Sequence, residues 1–125
     1  MDIKWLPRTT KGIVSIYENH ITLNKVARDY FKDAYRALVG YDKDNDLLLI
    51  KALNKEEASL PKYSDNDLHQ ISIKPTYGRI NGKGVVQNLM EFHPLDFSQK
   101  SLYKFKCDWE ASTKMLMVYL QREVK

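Results

Sequence analysis

Seven basic side chains are the residues of this 125-residue chain whose types and spacing best suit a chemical role. Several of them recur on the polar side of segments whose other side is apolar. Lysine and arginine arranged along one exposed face can neutralise the phosphates of a nucleic acid. Such stripes are more often simply solvated, so both interpretations stay open. The set consists of Lys25, Arg28, Lys32, Arg36, Arg79, Lys104 and Lys106.

A second candidate is the acidic sequence DKDND, which places Asp42, Asp44 and Asp46 at alternate positions. This spacing is typical of the opening of a calcium-binding loop. Such a loop also needs a glycine at its sixth position and a glutamate at its twelfth. The chain has Leu47 and Leu53 at those two positions. We therefore interpret the sequence as a charged hairpin turn.

The remaining reactive residue types give weaker signals. The sequence GRINGKG, residues 78–84, fits neither the dinucleotide fingerprint nor the P-loop, and it predicts a turn followed by a helix. His20, His69 and His93 do not have the spacing of metal ligands. Cys107 falls on an apolar row, where a cysteine packs as a small core residue. We predict a protein that is not an enzyme and has no catalytic residues, cofactor or metal.

Composition sets broad limits. The net charge of +4 and the pI near 9.1 permit an acidic partner without requiring one. A single cysteine excludes a disulfide within the chain. Because no apolar stretch approaches the length of a membrane span and the first residues do not resemble a signal peptide, we predict a cytoplasmic protein without a membrane partner. The length corresponds to a single globular domain, residues 1–125.

The first third of the chain contains a clear series of elements. Residues 12–23 predict two short strands around a tight turn. Residues 24–34 have apolar side chains at helical spacing, and Asn24 is suited to cap the helix. Residues 35–41 alternate between apolar and polar side chains, which is typical of a strand that covers a core with one face.

The chain contains this series twice. The hairpin sequence of residues 34–51 aligns without a gap on residues 102–119. We predict internal repeats at 12–53 and 69–120, joined by a polar linker at 54–67. The predicted fold class is α+β: a duplicated β-β-α-β-β unit with two mainly antiparallel sheets or hairpins and two short helices that share one core.

The alignment offset differs within the repeat. It is 58 residues for the first strands, where Ile13 aligns with Ile71, and 68 residues for the hairpins, where Tyr41 aligns with Trp109. The second unit therefore has ten more residues than the first.

Residues 21–28, ITLNKVAR, and residues 35–53, YRALVGYDKDNDLLLIKAL, resemble the strand-to-helix segment and the closing hairpin of AbrB/MraZ-type bacterial transcription regulators. Regulators of the MraZ type carry two such swapped-hairpin units in one chain. The resemblance implies a protein that binds duplex DNA. It also implies that Arg28 and Arg79 correspond to arginines of the family that contact DNA.

The chain departs from that family at two positions. Asn24 stands where the family has a proline, and His20 stands where it has the arginine of a Gly-Arg turn. The tandem pattern is equally similar to small bacterial and phage-related proteins for which no activity is implied. We predict a non-enzymatic regulatory protein that binds DNA. The alternatives are a protein-interaction module that forms a homodimer through sheet edges and exposed aromatics such as Trp5 and Tyr63, and a small-molecule binder or enzyme with a pocket between the two units.

Overall fold

The structure, a computed structural model, describes residues 1–6, 8 and 11–125. Strands predominate in this part of the chain, and the helices are short. The elements are β1 (Gly12–Tyr17), β2 (His20–Asn24), α1 (Lys25–Asp29), β3 (Arg36–Asp42), β4 (Leu47–Leu53), α2 (Lys55–Ala58), β5 (Ile71–Ile73), β6 (Tyr77–Asn81), α3 (Lys83–Met90), β7 (Leu102–Glu110) and β8 (Met115–Val124).

All eight strands belong to one antiparallel sheet in the order β3-β4-β8-β7-β1-β2-β6-β5. The two outer strands of this order approach each other again. Ala37 in β3 and His69, just before β5, donate to each other's carbonyl oxygens over 2.9 Å. The sheet is therefore a nearly closed barrel, and this single bridge is its seam.

The predicted fold class is wrong in its architecture. The α+β prediction had two sheets or hairpins packed together with two helices, whereas the structure is mostly β, with one sheet and three short helices among the described residues. The physical reason lies in the strand edges. A hairpin leaves two edges of unpaired N–H and C=O groups, and an edge strand pairs readily with another strand. Here β1, β2 and β4 pair with β7, β6 and β8, so the halves of the chain form one sheet.

The proposed repeats at 12–53 and 69–120 stay a prediction. The linker at 54–67 is not wholly irregular, because it begins with α2. Asn54 and Glu57 form a capping box at the start of this helix, in which each side chain accepts a hydrogen bond from the backbone N–H of the other residue.

The interior of the barrel is apolar. Inward-facing residues of β1, β2, β4, β7 and β8 are buried together with residues from the two ends of the barrel. Because the ends of β2 and β6 point in opposite directions, α1 and α3 cover opposite ends. The largest fully buried side chains include Phe31, Phe105, Ile16, Ile21, Leu23, Leu48, Ile50, Ile80 and Leu116. Each stabilises the fold by about 1.5–3 kcal/mol relative to an exposed position.

The predicted N-cap of the first helix is confirmed. The Asn24 Oδ1 atom accepts hydrogen bonds of 3.0 Å from the backbone N–H groups of Ala27 and Ile13. One side chain therefore caps α1 and also fixes the helix against the start of β1. The regular helix ends at Asp29, earlier than its apolar pattern suggested, and the following turn carries Phe31 into the core.

Asp46 joins three parts of the chain at the end of the barrel covered by α3. Its carboxylate accepts a 2.5 Å hydrogen bond from the Tyr41 hydroxyl and a short one from the Gln121 amide, and its Oδ2 lies 3.1 Å from His93 Nδ1. Burial alone would raise the pKa of Asp46, but the hydrogen bonds from Tyr41 and Gln121 and the neighbouring His93 outweigh it and hold that pKa below its usual value. The same hydrogen bond, with burial, raises the pKa of Tyr41 to about 12.

Phe31 and Trp109 provide a test of how the other end is filled. The two rings meet edge to face with centroids 5.4 Å apart, and Trp109 also stacks on the exposed ring of Tyr30 at 5.0 Å. We expect Phe31→Ala to lower the free energy of unfolding by about 3–5 kcal/mol, because it empties a fully buried site. Trp109 is only partly buried, so Trp109→Ala should cost less, about 1–3 kcal/mol. Urea denaturation measures both, and equal losses would contradict this packing.

Asp46→Asn tests the polar junction. Asparagine tolerates the positive φ of 52° at this position, so the change removes the charge without adding backbone strain. We expect the variant to be less stable by about 1–2 kcal/mol at pH 7, because hydrogen bonds to a charged group are the stronger ones. The folded-state pKa lies below the unfolded one, so this stabilisation is present above the unfolded value and is lost as pH falls through the folded value.

The difference between the wild type and Asp46→Asn should therefore vanish in acid, which denaturation at several pH values measures. Asp44→Asn is the matched control, because it removes the same charge from the same turn and its carboxylate makes none of these contacts. An equal loss in both variants would show that only the charge of the turn matters.

Candidate nucleic-acid interface

The outer surface of four neighbouring strands forms one polar face. Ser15 in β1 lies opposite Lys104 in β7 on one side and Thr22 in β2 on the other. Thr22 in turn lies opposite Arg79 in β6, and Arg79 lies opposite Ser72 in β5. Since neighbouring strands are about 4.8 Å apart, the row from Lys104 to Arg79 spans about 14 Å.

This face is positively charged. The strands β1, β2, β5 and β6 contain no aspartate or glutamate. Lys106 extends the row along β7 and is exposed. Arg79 donates from Nε to Asn81 Oδ1 over 2.6 Å, which holds its side chain along the surface. Burial, and then the charge of Arg79, lower the pKa of His20, whose ring stacks on Tyr17 at 4.2 Å. We call the surface of Ser15, Thr22, Arg79, Lys104 and Lys106 the basic face.

The cations of α1 and the turn after it have different surroundings. The Arg28 side chain is only 16% exposed, and its Nε donates to the backbone oxygen of Lys74 over 2.8 Å. Its Nη1 donates to Asp29 over 2.8 Å, and Lys25 lies 3.6 Å from the same carboxylate. Lys32 is exposed in the turn after the helix. Arg28 therefore connects α1 to the loop before β6, and its donors already have protein partners.

Arg36 lies far from the basic face. It stands on β3, which is four strands away from β1 around the barrel. Its guanidinium group lies 4.2 Å from the ring centre of Tyr35, and its Nη1 donates to the Tyr35 carbonyl oxygen. Of the seven basic residues selected from the sequence, the structure thus brings Arg79, Lys104 and Lys106 onto one face and leaves the other four elsewhere.

Sequence reasoning missed a further basic residue, Arg122. A cavity of about 280 Å³ beside Lys106 is lined by Lys11, Asp108, Tyr119 and Arg122 among others. The guanidinium of Arg122 lies over the Tyr119 ring at 4.6 Å, and the Tyr119 hydroxyl donates to Asp108 over 2.7 Å. That hydrogen bond raises the pKa of Tyr119. A register shift between β7 and β8 forms this arrangement, and simple strand alternation does not predict such a shift.

Cys107 lies in the core, as predicted. Its side chain is buried, and burial together with the charge of Asp108 raises the pKa of its thiol to about 12, so it is protonated at neutral pH. A Cβ atom on Gly12 would lie 2.7 Å from its sulfur, so the glycine permits this close approach of β1 to β7. Within the described ranges, no three histidine, cysteine, aspartate or glutamate side chains are grouped as a metal ion would require.

Arg28→Ala distinguishes a structural arginine from one that contacts a ligand. We expect the free energy of unfolding to fall by about 1–2 kcal/mol, because charge-assisted hydrogen bonds to Lys74 and Asp29 are lost. Thermal and urea denaturation measure this change. Arg28→Lys should recover only part of it, since a lysine cannot make both contacts with one planar group. Unchanged stability in both variants would show that these hydrogen bonds do not hold α1 in place.

Comparisons with known proteins add no relative. No protein-family model matches the chain, and neither a curated protein nor a solved structure matches it. The resemblance to AbrB/MraZ-type regulators therefore stays a prediction. No helix in the described part of the chain is long and apolar enough to cross a membrane. A functional proposal has to rest on the surface chemistry of the barrel.

Proposed function

We propose that this protein is a non-enzymatic, regulatory DNA-binding protein that contacts the phosphate backbone of duplex DNA through the basic face. One observation carries the proposal: Lys104, Ser15, Thr22 and Arg79 form a single row across four strands, and three of those four strands contain no carboxylate. Cationic groups at the two ends of the row and hydroxyl groups between them are the donors that phosphate oxygens accept.

The dimensions of the row support the same target. A span of about 14 Å is close to the width of the major groove of B-DNA, about 12 Å. The barrel surface is convex, so its most outward strands, β1 and β2, can face the groove while Lys104 and Arg79 approach the phosphates on its two sides. Lys106 and Arg122 lie beyond Lys104 along the same edge and extend the positive surface.

The proposed contacts are made mainly to the backbone. The middle of the row carries the short hydroxyl side chains Ser15 and Thr22, and the donors of Arg28 are engaged within the protein. Backbone contacts fix position on the duplex and do not read its sequence directly. We therefore expect binding to depend strongly on salt and weakly on the sequence of the duplex.

Fluorescence anisotropy of a labelled random-sequence duplex tests the proposal. With three to four cations engaged, the slope of log K against log salt should be about −2.7 to −3.6, because each neutralised phosphate contributes about −0.9. Lys104→Ala and Arg79→Ala should each reduce the magnitude of that slope by about 0.9. Neither change affects a buried contact, so stability should be unchanged.

Lys32→Ala is the matched control, because it removes an exposed cation that lies outside the basic face. If Lys32→Ala reduces the slope and Arg79→Ala does not, the DNA contacts are in the region of α1 and the assignment to the basic face is wrong. If the wild type gives no anisotropy change at low salt and micromolar concentration, the protein does not bind DNA.

A further inference from the structure

The seam of the barrel is closed over only one residue pair. On one side of the barrel, β7 pairs with β1 through six consecutive residues. At the seam, β3 has only the bridge between Ala37 and His69. β5 runs from this bridge towards the start of β3, so it does not reach the second half of that strand. The edge of β3 beyond Ala37 is left open.

The open edge presents unpaired backbone groups. The N–H and C=O groups of Ala37 point away from β4, because both bond to His69. In a strand these directions alternate, so the N–H and C=O groups of Val39 and Tyr41 also point away from β4. Among the residues that the structure describes, none hydrogen-bonds to these four groups. Unpaired groups of this kind are a template for another strand.

A cleft of about 610 Å³ runs along this edge and includes residues 38–41 in its lining. The inner wall is apolar, with Leu48 from β4 and Leu89 and Phe92 from α3 and the turn after it. The Phe92 ring stacks on Tyr41 at 4.9 Å. The opposite wall is the end of the linker, which contributes Tyr63, Asn66 and Asp67. Apolar walls beside a row of backbone donors and acceptors suit an extended peptide.

We propose that an extended peptide segment adds to this edge of β3 as a further strand, and that residues 1–6 of a second copy of the chain supply it. Four residues of open edge extend over about 13 Å, which an extended segment of four to five residues covers. The backbone of such a segment would pair with Val39 and Tyr41, while alternate side chains would enter the apolar cleft.

The chemistry of residues 1–6 fits this cleft. The segment has no regular secondary structure, and Met1, Ile3, Trp5 and Leu6 are four of the nine large hydrophobic side chains that are exposed among the described residues. Trp5 is 86% exposed. Ile3 and Trp5 occupy alternate positions, so they point to the same side of an extended chain. The charge of Lys4 between them complements Asp67 on the wall of the cleft.

The position of β1 makes the contact intermolecular. Residues 1–6 precede β1, and β1 is four strands from β3 in either direction around the barrel. The segment therefore starts on the side of the barrel opposite the cleft of its own chain. The basic face is on the same side as β1, so the proposal does not depend on DNA binding.

The first test is binding of a fluorescently labelled peptide, MDIKWL, to the full chain carrying Ile3→Ser and Trp5→Ser, so that its own segment does not compete. We expect saturable binding. Val39→Pro in this background should weaken it about tenfold or more, because proline removes the N–H donor and blocks strand addition. Val39→Ala keeps the donor and is the matched control, with a change of less than about threefold. No peptide binding, or equal binding to both variants, would overturn the proposal.

The second test is sedimentation equilibrium of the unmodified chain, which does not rely on a substitution inside the barrel. We expect concentration-dependent self-association that Ile3→Ser with Trp5→Ser abolishes and Lys104→Ala leaves unchanged. A chain that stays monomeric, or one whose association persists in the double variant, would show that residues 1–6 are not the occupant. DNA binding by the basic face could still be observed in either case.

Discussion

The pairing of strand edges is the constraint on which the rest of this structure depends. Each hairpin of the chain is too small to be stable alone, and each leaves N–H and C=O groups unpaired on both edges. The edges are satisfied by interleaving, because β1, β2 and β4 from the first half pair with β7, β6 and β8 from the second half. Interleaving creates one interior, and the short helices at its two ends exclude water from it.

The two long hairpins show how similar local sequences give similar local geometry. Asp42 pairs with Leu47 in the first, and Glu110 pairs with Met115 in the second. The fourth residue of each turn has a positive φ, 52° at Asp46 and 53° at Lys114. The surroundings of the hairpins differ, however. The outer edge of β7 is fully paired with β1, whereas β3 has a single bridge, so only β3 borders a cleft.

The sequence predicted the elements better than their arrangement. The hairpins, the cap at Asn24 and the buried Cys107 follow from local patterns, which depend on neighbouring residues only. The pairing of strands from different halves is not local, so the two-sheet prediction was wrong. The offset of 58 was also one residue too long for the first strands, because the paired residues Val14 and Leu23 correspond to Ile71 and Ile80. A slip of one residue exchanges the two faces of a strand.

The same limit applied to the candidate site. A sequence shows which residues are cations, but it does not show that the Arg28 donors are used by the Lys74 carbonyl and by Asp29. Nor does it show that Lys104 and Arg79, 25 residues apart in the chain, end one row. Their alignment depends on the pairing of β7, β1, β2 and β6. Arg122 was missed because a shift in strand register, and not a sequence pattern, brings it beside Lys106.

The two proposed surfaces lie on opposite sides of one small barrel, so both can be occupied at once. The basic face has only three to five cations, and a surface with so few backbone contacts binds a duplex weakly at moderate salt. A second copy joined through the β3 edge would place another basic face on the same assembly. Binding of the second face then becomes intramolecular, and its effective concentration depends on the geometry of the assembly. Self-association through the open edge would thus give a weak phosphate-binding surface the affinity that a single barrel lacks.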